Sequence, residues 1–173
     1  MPEIIIVAGP NGAGKTSFAR QYISSTGRAF SFANADDIAR EAPLAGLGQV
    51  HRDLQATRLM LRRMEEFTAD RRDFVVETTL AAKSYIDKIG SWRRIGYHVT
   101  LIYLRLPSAE FAVERVSRRV AAGGHNIPES TIRRRYDLGR ENLEKHYKSL
   151  VDAWYVFDSL EGSFVLAERS EMP

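Results

Sequence analysis

The sequence predicts an α/β fold in which a mainly parallel sheet is covered by helices on both faces. Three observations predict it. Short apolar runs of strand length, among them Ile4-Ile5-Ile6-Val7-Ala8 and Phe74-Val75-Val76, alternate along the chain with stretches of helical period. These runs lack the in-and-out alternation of a half-exposed sheet, so they read as strands buried on both faces, which is where parallel strands lie. At 173 residues the chain can bury one sizeable core and hardly two, so a single domain is expected over residues 1–173.

The first strand runs into Gly9-Pro10-Asn11-Gly12-Ala13-Gly14-Lys15-Thr16, which fits the phosphate-loop pattern G-x-x-x-x-G-K-[ST]. The residues from Lys15 to Tyr22 have helical composition, so the motif sits between a strand and a helix. A loop placed there aims backbone N–H groups and the positive helix end at one spot, where an anion belongs. Gly12 and Gly14 allow the positive backbone angles and close approach that a cradle for phosphate oxygens needs. Lys15 brings a point charge to the outer phosphates, and the Thr16 hydroxyl can ligate Mg2+. Candidate ATP-binding residues therefore run from Gly9 to Thr16 and on to Ser17. The expected architecture is the three-layer P-loop NTPase sandwich.

The remaining elements follow in order. Ala29 to Ala33 is a second strand, and Asp36 or Asp37 caps a short helix that Pro43 ends. A long helix from Gly48 to Asp70 carries Val50, Leu54, Leu61 and Met64 as its apolar stripe. Phe74-Val75-Val76 ends at Glu77-Thr78-Thr79, and a helix from Ser84 to Arg94 is stopped by Gly96. The strand from Tyr97 to Leu106 precedes a helix from Ser108 to Val120, which halts at Gly123-Gly124. Pro128 favours the first turn of another helix, reaching about Leu150, with Ile132, Tyr136, Leu143, Tyr147 and Leu150 on its buried side. Trp154 to Phe157 and Phe164 to Leu166 are final short strands around a turn from Asp158 to Gly162.

Composition excludes several functions. The net charge is +3, from 25 basic and 22 acidic residues, with no basic block interleaved with aromatics, so a nucleic-acid partner is not expected. No cysteine is present, which removes disulfides, thiol catalysis and thiolate metal sites. His51, His98 and His146 have no metal-ligand spacing. No apolar run approaches a membrane span, and the short N-terminal run without a basic preface is not a signal peptide. A cytoplasmic protein is expected.

In such folds ligands collect beyond the carboxyl ends of the strands. Asp36 and Asp37 follow the second strand there, one suited to accepting a proton from an attacking hydroxyl and the other to capping. Glu77 leaves an apolar strand beside Thr79, where a carboxylate needs a partner. Arg115, Arg118 and Arg119 share one helix face before the Gly-Gly break and could close over the γ-phosphate, within a lid segment of about 115–135. His125 follows in the loop. Arg133, Arg134 and Arg135 splay around their helix, so only one of them can face the site.

With these residues placed, the chain resembles the zeta-toxin family of P-loop kinases. The segments that carry the likeness are GPNGAGKTSFA, NADDIA, VVETTL, ERVSRRV, GGHNIP and ENLEKHYK, in that order. The resemblance implies transfer of the ATP γ-phosphoryl group to a hydroxyl of a nucleotide sugar, the 3′-hydroxyl of UDP-N-acetylglucosamine above all. It implies that Lys15 and Thr16 hold phosphates and Mg2+, that Asp36 is the general base, and that Glu77 and Thr79 position the sugar. Arg115 matches the arginine of the family's E-R motif, with Arg119 as a nearby substitute. The turn after Phe157, with Asp158, would lie near adenine. His125 stands where a second phosphate-binding arginine is expected, and Asn34 and Thr78 also depart from the family pattern.

Two further readings share the same core. One is a kinase for another small metabolite or an antibiotic, and the other is a nucleotide-dependent ATPase or switch acting on a partner. The resemblance also implies an antitoxin protein as a possible partner.

Overall fold

The computed structural model describes residues 1–34, 49–124 and 126–170. Six strands are seen, β1 Glu3–Ala8, β2 Ser31–Ala33, β3 Phe74–Thr78, β4 His98–Arg105, β5 Ala153–Leu160 and β6 Ser163–Arg169. They form one sheet in the order β2-β3-β1-β4-β5-β6. Every pairing is parallel except that of β5 with β6. The helices are α1 Lys15–Thr26, α2 Gln49–Ala69, α3 Ile86–Arg94, α4 Ala109–Ala121 and α5 Glu129–Asn142, the last running on into a π-helical turn, Leu143–Tyr147. The fold is the expected α/β sandwich.

Strand β1 lies at the centre and shows why the apolar runs do not alternate. Ile4, Ile6 and Ala8 pack under α2 and α3, while Ile5 and Val7 pack on the opposite side with α1 and α4. All five are fully buried, and each such isoleucine contributes about 2 kcal/mol. The strand that delivers the phosphate loop is therefore anchored on both faces.

Helix α5 crosses from one core to the other. Ile132 and Tyr136 belong to the α1/α4 side, whereas Leu143 and Tyr147 of the π-helical turn belong to the α2/α3 side. The helix thus passes over the carboxyl ends of the strands, where the Tyr136 hydroxyl donates to the Leu106 carbonyl at 3.0 Å. At the crossing, Gly139 approaches the turn after β3 so closely that a Cβ would fall 2.3 Å from the Thr79 carbonyl oxygen. Three residues later, the buried Asn142 amide donates to Leu80 O at 2.8 Å, and the Tyr147 hydroxyl donates to Ala82 O at 2.8 Å. Helix α5 therefore fixes the turn that carries Thr79.

Three expectations change. Leu54 is 53% exposed, because the buried row of α2 is Ala56, Met60 and Met64, spaced four apart, and Leu54 lies off that row. The last long helix stops being α-helical at Asn142, and the wider π turn then seats Leu143 and Tyr147 in the core. The final hairpin turns at Glu161-Gly162, since β5 runs on to Leu160 in register with β6. The Val50 side chain, Asp36, Asp37 and the short helix ended by Pro43 lie outside the described residues, as does His125.

A mid-helix glycine replaced by alanine ordinarily gains up to about 1 kcal/mol in helix propensity. At position 139 the new methyl would meet backbone that cannot rotate away. Gly139→Ala is therefore predicted to destabilise the protein by about 1–3 kcal/mol in urea unfolding. A variant as stable as the native protein would contradict this packing.

Candidate functional site

The loop from Gly9 to Gly14 leaves the central strand and opens α1. Its root is tied to β3, because the Gly9 N–H donates to the Thr78 carbonyl at 3.2 Å. The Ala13 N–H closes a turn on Pro10 O at 3.2 Å. The N–H groups of Gly12, Gly14 and Thr16 have no backbone acceptor among the described residues. Those donors, together with the amino end of a twelve-residue helix, form an anion cradle. Gly12 has φ 81°, and a Cβ there would fall 2.9 Å from the Cβ of Arg115. The Asn11 Oδ1 is buried with no hydrogen-bond partner among the described residues, so this rim is poised for a donor.

Lys15 and Thr16 are both held at the loop by side-chain hydrogen bonds. The Lys15 ammonium donates to the carbonyls of Gly9 and Pro10, both at 2.9 Å, and so stays over the loop. The Thr16 hydroxyl donates to Glu77 Oε2 at 3.1 Å. Glu77 stands opposite Val7 in the sheet register, so β1 and β3 carry the hydroxyl and the carboxylate to one place. A threonine hydroxyl beside a carboxylate is a hard-oxygen set, and with the N–H cradle it fits Mg2+ with a phosphate chain. Thr79 completes this edge, its hydroxyl accepting from the Ala81 N–H at the long distance of 3.5 Å.

The arginines of α4 and α5 are distributed unequally. Arg115 turns inward: its guanidinium donates to the Ser159 hydroxyl at 3.0 Å, to Ser159 O at 3.3 Å and to Gly12 O at 3.4 Å. It also lies 4.9 Å over the Phe111 ring. Arg118 is exposed and paired with Glu114 and Glu161, a solvated basic face. Arg119 is on the exposed face near the end of α4. Of the three consecutive arginines, Arg133 pairs with Glu110 and Glu129. Arg135 is half-buried, one turn before Gly139, on the face of α5 that meets the turn after β3.

A model of the AAA_33 family, described as an AAA domain, matches residues 4–138. The chain belongs to that family. A stretch of 63 residues is 33% identical to an uncharacterized protein of Haemophilus influenzae; it covers 36% of this chain and 45% of the relative, so less than half of that relative is spanned. Among solved structures, a chain from the PezAT chromosomal toxin–antitoxin system of Streptococcus pneumoniae superposes with TM-score 0.72 at 16% identity, over 95% of this chain and 71% of that one. A chain of the AvrRxo1-ORF1:ORF2 complex with ATP gives TM-score 0.75 at 17% identity, over 98% and 58%. Shikimate kinase from Acinetobacter baumannii, in complex with shikimate, gives 0.58 at 18%, over 94% and 86%. These likenesses establish a kinase-type P-loop fold for this AAA_33 domain. Among the described residues no helix is long and apolar enough to cross a membrane.

Asp158 is not in a turn, as the sequence suggested, but inside β5. There it stands opposite Arg105 of β4 and is gripped through Nε at 2.7 Å and Nη2 at 3.1 Å. The pair lines a cavity of about 340 Å3 with Leu106, Pro107, Tyr136, Arg140 and Leu160. The sequence reading also missed Ser159, a hydroxyl at the end of an apolar strand whose only signal was the need of a buried polar group for a partner.

The Arg105 guanidinium holds the Asp158 carboxyl below the usual aspartate range. A carboxyl lowered in this way stabilises the fold above its unfolded value, and that stability is lost as pH falls through the folded value. With both side chains two-fifths exposed, the pair contributes about 0.5–1 kcal/mol. Arg105→Met, which also removes the pair with Glu168, is predicted to cost about 0.5–2 kcal/mol in urea unfolding at pH 7 and progressively less as pH falls below the ordinary carboxylate range. A cost that stays the same as pH falls would refute the assignment.

Proposed function

We propose that this protein is an ATP-dependent phosphotransferase of zeta-toxin type, moving the γ-phosphoryl group to a hydroxyl of a nucleotide sugar. The 3′-hydroxyl of UDP-N-acetylglucosamine is the first acceptor to test. The observation that supports this best is the convergence of the N–H cradle, the Thr16 hydroxyl and Glu77 at the carboxyl ends of β1 and β3. The order of motifs through NADDIA and GGHNIP adds the family-level support, and the kinase-type fold agrees with it.

In this reading the cradle and Lys15 hold the phosphate chain and offset charge that builds during transfer. Mg2+, held at Thr16, would neutralise the phosphate oxygens. Asp36 accepts the proton of the acceptor hydroxyl as its oxygen bonds to the γ-phosphorus and the bond to the β-γ bridging oxygen breaks, releasing ADP. Glu77, Thr79 and His125 orient the acceptor, and Arg119 serves the outer phosphate. Ser17 completes the nucleotide contacts. The PezAT relative comes from a toxin–antitoxin system, which supports a search for an antitoxin bound to this chain in the cytoplasm.

The test is incubation with γ-labelled ATP and a panel of nucleotide sugars, nucleosides and aminoglycosides, followed by mass analysis of the products. Labelled nucleotide sugar is expected, and transfer falls about 10²–10⁴-fold in Asp36→Asn while ADP affinity is kept. Lys15→Ala loses about 10²–10³-fold. Label only in free phosphate, released faster when a partner protein is added, would replace the kinase by a switch.

A further inference from the structure

Two carbonyls of the phosphate loop point away from the cradle and into protein. The Ala13 carbonyl accepts from the Ser159 hydroxyl at 2.9 Å, across 146 residues of sequence. That hydroxyl is 1% exposed and in turn accepts from Arg115 at 3.0 Å. The Gly12 carbonyl accepts from the same guanidinium at 3.4 Å. Helix α4 lies flush on the loop, with Ala112 O 3.2 Å and Val116 Cγ2 3.6 Å from where a Gly12 Cβ would stand. On the other side, the Phe164 ring of β6 is 3.4 Å from the equivalent point on Gly14.

A trans peptide holds its C=O and N–H in opposite directions. Fixing the Ala13 carbonyl toward Ser159 therefore aims the Gly14 N–H the other way, toward the concave side of the loop. The Gly14 N–H has no backbone acceptor among the described residues, and its φ of 82° is one from which a peptide plane can rotate at little cost. Something outside the loop must choose its direction. The Ser159 hydroxyl is the group in contact with that plane, and Arg115 holds the hydroxyl.

We infer that Ser159 and Arg115 are positioning residues that set the Ala13–Gly14 peptide of the phosphate cradle, and that Arg115 acts on the loop rather than on the γ-phosphate. The inference rests on the nucleotide-binding reading of the loop and assigns a role within it. It makes the end of the β5–β6 hairpin part of the nucleotide site, although the hairpin lies far from the loop in sequence. A cradle set from behind binds every nucleotide with a phosphate there. Loss of the support must therefore weaken ADP and ATP by the same factor, whereas loss of a γ-phosphate contact weakens ATP alone.

The experiment is calorimetric titration of the full chain with Mg-ADP and with the non-hydrolysable Mg-AMPPNP, alongside thermal unfolding of each variant. Ser159→Ala is expected to weaken both nucleotides about tenfold. Arg115→Met keeps the packing on Phe111 and remains informative should Ser159→Ala fold poorly; it is expected to weaken both about threefold. Native affinity for both nucleotides in folded Arg115→Met overturns the inference, and so does a loss confined to AMPPNP. A native protein that binds neither nucleotide overturns the phosphate-loop reading itself, which is a different failure.

Discussion

A strand buried on both faces ends in a loop whose N–H groups at Gly12, Gly14 and Thr16 must turn to one side, and the rest of the molecule is arranged to let them. A side chain at Gly12 would collide with helix α4, and Gly14 holds a φ of 82° with the Phe164 ring packed over it. The loop's Gly9 and Pro10 carbonyls accept from the Lys15 ammonium, and its Gly12 and Ala13 carbonyls are taken up from behind by Arg115 and Ser159. What remains pointing forward is a set of N–H donors at the positive end of α1. The concentration of positive potential there needs no large net charge, and the chain carries only +3.

Strand order converts this local geometry into a site. Because β1 lies between β3 and β4, the chain leaves the centre in two directions, and the crevice above the strand ends opens at that division. Glu77 reaches Thr16 across the β1–β3 pair, and α5 closes the same edge by crossing over the strand ends. Its contact at Gly139 is backbone against backbone, so the helix cannot slide without moving the turn that carries Thr79. The far side of the crossing is a separate ionic arrangement, in which Arg105 joins Asp158 and Glu168 while Lys148 joins Glu144 and Glu168. That arrangement explains why Asp158 stays inside a strand.

Much of this was legible in the chain. Continuous apolar runs announced buried parallel strands, and the spacing of Gly12, Gly14, Lys15 and Thr16 between a strand and a helix announced the cradle. Glu77 was legible because a carboxylate emerging from an apolar strand needs a partner, and Thr16 is that partner. What escaped was information that only three-dimensional proximity holds. Ser159 looks like any strand-end serine until the loop is seen beneath it. Arg115 had the same helical spacing as Arg118, yet one faces the loop and the other faces Glu114 and Glu161. Leu54 misled because α2 offers two apolar rows at helical spacing, and packing against the sheet selects the one with Met60 and Met64.

The central claim is that the main-chain N–H groups of Gly12, Gly14 and Thr16 receive a phosphate chain. Backbone amide NMR of the labelled protein, titrated with Mg-ADP, tests it directly. The largest shifts are expected at Gly12, Gly14, Lys15 and Thr16, with smaller ones at Ser159 through its bond to Ala13. Saturating Mg-ADP that leaves those amides unmoved, or that shifts instead the cavity lined by Arg93, Arg94 and His98 at the opposite end of β4, would contradict it.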